Sequence, residues 1–169
     1  MQFATEYESF PALLSFVERE KAMKIRTILC PVDFSKHSQS ALAYATALAK
    51  DSDAELHLVY AYQEPYAYTD GGFAGYVPPA DMEPDRERLE KLTPTDPSVR
   101  FCRKFLVGNP ADALVDYAKD NDMDLIVMGT HGRSGIERLL MGSVAEAIVR
   151  TAPCPVLTIK QPVSESQPA

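Results

Sequence analysis

Gly129, two residues, Gly132, nine residues, Gly142 and then Ser143 form the spacing in this chain that most clearly implies chemistry. Glycine lets a backbone turn sharply and lie close to a ligand. A helix that starts at Ser143 aims its first amides back at the loop. Amides without an intrahelical acceptor, together with the helix dipole, make a site for an anion, and phosphate oxygens suit it. The Ser143 hydroxyl has two competing uses, donation to phosphate or capping of its own helix. Three glycines plus Ser or Thr at fixed offsets arise by chance in on the order of one in a hundred chains of this length, so context weighs as much as spacing. The loop is not a Walker A sequence, because no Lys precedes Ser143, and it is not G-x-G-x-x-G.

Around this loop stand residues that could read the rest of a ligand. Asp33 follows an apolar run and offers a hydrogen-bond acceptor for an adenine amine or a ribose hydroxyl; a turn or a helix cap is its plainer use. A carboxylate facing a polyphosphate would be repelled, so the base or sugar end is the better place for it. Arg133 and Arg138 either reach phosphates or face solvent. His131 is the histidine assigned to this site, as phosphate donor, acid–base group or loop packing. His37 and His57 show no partner set, and there is no Cys/His cluster, H-E-x-x-H or G-x-S-x-G pattern. No metal site and no catalytic set is expected.

The elements that must position these residues alternate along the chain. Thr27–Val32 is a short apolar run that suits a buried strand. Ala41, Leu42, Ala45, Leu48 and Ala49 then recur on one helical face, ending near Asp51–Asp53, and Ala54–Tyr62 reads as a second strand. Strand, helix and strand over this length make a βαβ unit with parallel strands. Residues 63–98 break the pattern with six prolines and three glycines, leaving room only for a short helix over Asp85–Leu92. The aromatics Tyr66, Tyr68, Phe73 and Tyr76 in this long loop either cover a ligand or pack locally. Val99–Val107 is a third strand, and Asn109-Pro110-Ala111-Asp112 is a helix start with N-cap, first-turn proline and dipole-matched acid. Asp124–Met128 is a fourth strand. Ser143–Thr151 is a helix with Ser143 and Glu146 as a capping box, and Pro155–Lys160 is the last strand. The expectation is an open, mostly parallel α/β sheet with helices on both faces. Ligands in such sheets bind beyond the carboxyl ends of the strands, where strand order reverses.

The totals fit one domain of 24–160. Residues 1–23 are read as an extension whose Phe3, Tyr7, Phe10, Leu14 and Val17 share a helical face, and residues 161–169 as a loose tail. The composition is 46% hydrophobic and 24% charged, with a net charge of −7. An acidic surface disfavours general binding to nucleic acid or anionic lipid. No apolar run approaches a membrane span, and no secretory signal pattern opens the chain, so a cytoplasmic location is expected. Three cysteines, odd in number and far apart, read as buried structural thiols.

Ile28–Ser35, Asp124–Gly135, Leu140–Glu146 and Ala152–Leu157 together resemble the universal stress protein family, over residues 24–160. The resemblance implies a five-stranded parallel sheet in the order 3-2-1-4-5, Rossmann-like, with the reversal between the first and fourth strands. Its ATP-binding branch carries the same G-x2-G-x9-G-[ST] pattern. By that resemblance Pro31, Val32 and Asp33 line an adenosine pocket, and Met128, Gly129, His131 and Gly132 wrap ribose and phosphates. Gly142, Ser143 and Val144 hold the phosphates, with Arg133 a further candidate there. Ala61, with Val59 as the alternative, meets adenine. The implied ligand is ATP, AMP or ADP, with Mg²⁺ on the phosphates. A homodimer through Val156–Ile159 is also implied, and an exposed apolar edge strand supports it physically. The linker helix is shorter than the family's, and residues 1–23 have no counterpart in it.

Three functions follow as expectations. The first is a nucleotide-binding stress or regulatory protein with weak or no hydrolysis. The second is an ATP-using enzyme, hydrolytic or adenylyl-transferring, with His131 and an arginine as its reactive groups. The third is an interaction module with a vestigial pocket.

Overall fold

The computed structural model describes residues 24–63, 81–131 and 141–160. Thr27–Pro31 forms β1, whose Ile28, Leu29 and Cys30 have no exposed surface. The chain turns at Phe34, which has φ 64°, and enters α1 (Lys36–Ser52). Ser35 caps α1, its hydroxyl accepting from the Ser38 amide at 3.2 Å. Asp53, in the left-handed region, ends the helix, and β2 (Glu55–Tyr62) follows. The short helix of the linker is α2 (Glu83–Lys91). It is tied to β2 by the Tyr60 hydroxyl, which donates to Asp85 at 2.6 Å.

β3 (Phe101–Val107) leads into α3 (Pro110–Asp120), and Asn109 caps that helix as the sequence predicts, accepting from the Ala111 amide at 3.0 Å. β4 (Leu125–Gly129) is buried along its length. α4 (Ser143–Thr151) and β5 (Val156–Ile159) complete the chain. All pairings are parallel, and the order is β3-β2-β1-β4-β5. One face, with Ile28, Leu56 and Leu58, packs on Ala41, Leu42, Ala45 and Ala49 of α1 and Leu89 of α2. The other, with Leu29, Val59 and Ile126, packs on Leu114 and Ala118 of α3 and Ala145 and Ile148 of α4. The helices after β1 and β4 therefore leave on opposite faces, which opens a crevice between those two strand ends.

The start of α4 differs from the capping-box expectation. Gly142 is the N-cap, with φ −72° and ψ 154°, and Ser143 is the first helical residue. The Gly142 amide donates to the Thr130 carbonyl at 2.8 Å, and its own carbonyl accepts from the Glu146 amide at 2.9 Å. That anchor makes Gly142 the cap in place of Ser143, while the helix keeps the Ser143–Thr151 range expected from sequence. The Glu146 carboxylate instead meets Arg150 at 2.8 Å, one turn on.

At the other end of the sheet Asp124 joins β4 to β1. Its Oδ2 accepts from the amides of Arg26 (2.8 Å) and Thr27 (3.1 Å) and from the Thr27 hydroxyl (3.2 Å). Burial works against the charge, but these donors outweigh it and hold the carboxyl below its ordinary value of 3.8. A depressed carboxylate pKa adds stability that is present above 3.8 and disappears as the pH falls through the lower folded value. Asp124→Ala is therefore expected to cost about 1–3 kcal/mol in urea unfolding at pH 7. The difference from wild type should shrink as the pH is lowered below 3.8. A cost that is the same at both pH values would assign it to packing.

The three cysteines form no disulfide. Cys30 matches the buried-thiol expectation, and its burial pushes the thiol up to about 12. Cys102 and Cys154 are only partly buried, because they lie on an edge strand and in the turn before β5, where one side of each is uncovered. No helix among the described residues is long and apolar enough to cross a membrane.

Candidate functional site

β1 and β4 pair only at Ile28 and Leu29. Beyond that point they separate, and a cleft of about 420 Å³ lies between their ends, within the range of small-molecule sites. One wall is Pro31, Val32 and Asp33 of β1 and its turn, with Val59 and Ala61 of β2. The opposite wall is Met128, Gly129, Thr130 and His131. The rim is Gly142, Ser143, Val144 and Ala145, the first turn of α4.

Of the residues proposed from sequence, Pro31, Val32, Asp33, Ala61, Met128 and Gly129 line this one cleft. So do His131, Gly142, Ser143 and Val144. Gly132, Arg133 and Arg138 lie outside the described residues, as do Tyr66, Tyr68, Phe73 and Tyr76 and residues 1–23 and 161–169. Val59 and Ala61, the two alternatives on β2, both line the cleft. Tyr62, Gln63, Thr130 and Pro110 also line it and are not among the site residues expected from sequence. Thr130 sits between two assigned residues at the end of β4, and Pro110 opens the helix that follows β3, so position beyond a strand end was the available signal for both.

The polar groups fall into two sets. Asp33 takes up the turn role, its Oδ1 accepting from the Ser35 amide at 3.0 Å, while still lining the cleft. At the α4 end, Glu146 is the first residue whose amide is satisfied within the helix. The amides of Ser143, Val144 and Ala145 precede it in the first turn, where the helix itself offers no acceptor. The Gly142 amide is already committed to Thr130, so the anion-binding capacity starts at Ser143. Because Ser143 is not the cap, its hydroxyl is not required by its own helix, and the competition expected from sequence does not arise.

His131 is not alone at this site: the His37 ring lies 5.5 Å from it, centroid to centroid. α1 starts so soon after β1 that its first turn crosses the end of β4. A β-carbon on Gly129 would lie 3.0 Å from the backbone carbonyl carbon of His37. Gly129 is thus a glycine because a helix passes over it, and this use is distinct from approach to a ligand. His57, expected to lack partners, has its Nδ1 2.8 Å from the Tyr117 hydroxyl and faces Cys102 across β2 and β3.

The universal stress protein family model matches residues 24–160. A universal stress protein of Methanocaldococcus jannaschii is 34% identical over 157 residues, covering 90% of this chain and 92% of that one. Among solved structures, a member of the family from Burkholderia pseudomallei is 30% identical with a TM-score of 0.60, covering 82% and 97% of the two chains. A universal stress protein in complex with cAMP is 25% identical, with a TM-score of 0.59 and coverage of 81% and 98%. The Archaeoglobus fulgidus protein in complex with dAMP, 22% identical with a TM-score of 0.59 and coverage of 82% and 99%, is a likeness of fold. The 3-2-1-4-5 sheet and the family match over nearly the whole described chain lead to one assignment: this chain belongs to the universal stress protein family.

Proposed function

We propose that this protein is an adenine-nucleotide-binding member of its family, acting by binding as a stress-response or regulatory protein, with ATP as the leading ligand. The observation that carries the reading is the division of the cleft. Its inner walls at Val32, Val59, Ala61 and Met128 are apolar and suit a flat base, with the Asp33 carboxylate near the base or sugar. Its rim is the amino end of α4, where first-turn amides without an intrahelical acceptor suit phosphates. The ligands of the two solved relatives, cAMP and dAMP, are adenine nucleotides. Gly132 and Arg133 extend the phosphate end in this reading, and Mg²⁺ enters only on the phosphates. Dimerisation belongs to the same proposal: β5 has a strand partner on one side only among the described residues, and its Leu157 is exposed.

Isothermal titration of the full chain with ATP, AMP and GTP, with and without Mg²⁺, tests the binding. Saturable uptake of ATP and AMP, with GTP weaker by tenfold or more, is the expected result. A folded protein that takes up no adenine nucleotide would overturn it. Native mass spectrometry of the same sample reads subunit number, and a monomer at every concentration would remove the dimer.

A further inference from the structure

The end of the sheet opposite the cleft carries a second cluster of chemically capable groups. Glu55 and His57 are two residues apart on β2, so their side chains leave on the same face. Cys102 is the register partner of His57 on β3. One donor atom from each of the three lies within 4.8 Å of the others, and all three side chains are partly buried. His57 Nε2 is 3.8 Å from Glu55 Oε1. Tyr117 of α3 closes the cluster from above, its hydroxyl 2.8 Å from His57 Nδ1.

We propose that Glu55, His57 and Cys102 form a binding site for a divalent transition metal of the zinc class, with Tyr117 as the outer partner that orients the His57 ligand. Thiolate, imidazole and carboxylate together are a zinc-type donor set, and three protein ligands leave a fourth position open. Bonds of about 2.0–2.3 Å in a tetrahedral site place donors about 3.3–3.8 Å apart. The Glu55–His57 separation already meets that spacing, and the half-exposed Glu55 side chain can swing to complete it. One glutamate and one thiolate balance the ion's two charges.

Tyr117 supplies the outer layer such a site needs. With Nδ1–H donating to the tyrosine oxygen, the Nε2 lone pair faces the Glu55 carboxylate. A lone pair and a carboxylate repel each other, and a cation between them resolves the conflict. Lys104 is the opposing charge at the site and limits the affinity. The site shares no residue with the nucleotide cleft, so the two stand or fall separately.

Co²⁺, titrated into the tag-free full chain, is the probe, followed by displacement with Zn²⁺. The expected result is one equivalent bound, with a tetrahedral visible spectrum and a thiolate-to-cobalt charge-transfer band. Cys102→Ser should remove that band and weaken binding about 100-fold. Tyr117→Phe should weaken it about 10-fold or more while keeping the band. Glu55→Gln changes a side chain that is 42% exposed; it should leave the circular dichroism unchanged and weaken binding at least 10-fold. Cys154→Ser should leave cobalt binding unchanged. No saturable uptake, a spectrum without the thiolate band, or a band that survives Cys102→Ser would each overturn the site.

Discussion

Ser143→Asp is expected to abolish tight nucleotide binding while leaving the fold as stable as before, or slightly more so. Position 143 is the first residue of α4 and is exposed. An acid there suits the positive end of the helix dipole, by about 0.3–1 kcal/mol. In the proposed complex, however, the new carboxylate stands where the phosphates sit. Two unit charges about 4 Å apart repel by about 1 kcal/mol in water and about 4 kcal/mol at the lower effective dielectric of a protein surface. A polyphosphate carries several charges, so ATP affinity should fall by about 100-fold or more. Adenosine, which has no phosphate, should bind Ser143→Asp as it binds wild type. Ser143→Ala removes one hydrogen bond to a charged group, about 1.5–3 kcal/mol, and should fall between them. Titration calorimetry with ATP and adenosine, beside a thermal melt, separates the cases. An ATP affinity unchanged in Ser143→Asp would move the phosphates away from α4.

How far the sequence reveals this arrangement depends on how local each signal is. The alternation of strands and helices is readable because each element carries its own period: Ile28–Cys30 as a short apolar run, Ala41, Leu42, Ala45 and Ala49 at helical spacing. The Asn109-Pro110 start of α3 is readable because a cap is made by its own neighbours. The helix range Ser143–Thr151 is readable too, but its cap is Gly142 and not Ser143, for the opposite reason. Both residues satisfy local rules for a helix start, and the choice is made by Thr130, whose carbonyl takes the Gly142 amide across the loop.

The Glu55–His57–Cys102 cluster lies beyond sequence reading altogether. Two of its members share a strand, but the third arrives through the β2–β3 register, and Tyr117 through the packing of α3. The sheet order 3-2-1-4-5 came from family resemblance, since alternation alone does not choose which strand sits in the middle. It is the order found.

Gly129 joins the fold to the site, and its replacement is the other large effect expected. Its conformation needs no glycine: strand residues tolerate Ala and favour Val. What excludes a side chain is α1. An added β-carbon would lie 3.0 Å from both the carbonyl carbon and the β-carbon of His37 and 3.1 Å from its carbonyl oxygen. Two of those three atoms are backbone, at the amino end of a packed helix, and no rotamer change moves them. Gly129→Ala should therefore push α1 away from β4 at a cost of about 1–3 kcal/mol. For a chain of this length that lowers the melting temperature by roughly 2–12 °C. Gly129→Val should cost more. The displaced turn carries Ser38 and the Asp33–Ser35 contact into the cleft wall, so ATP affinity should fall together with stability, in contrast to Ser143→Asp. His37→Gly in the Gly129→Ala background removes only the β-carbon contact and leaves the two backbone ones, so it should not restore the melting temperature. Full restoration by His37→Gly would show that the side chain, and not the path of the helix, is what requires glycine at 129.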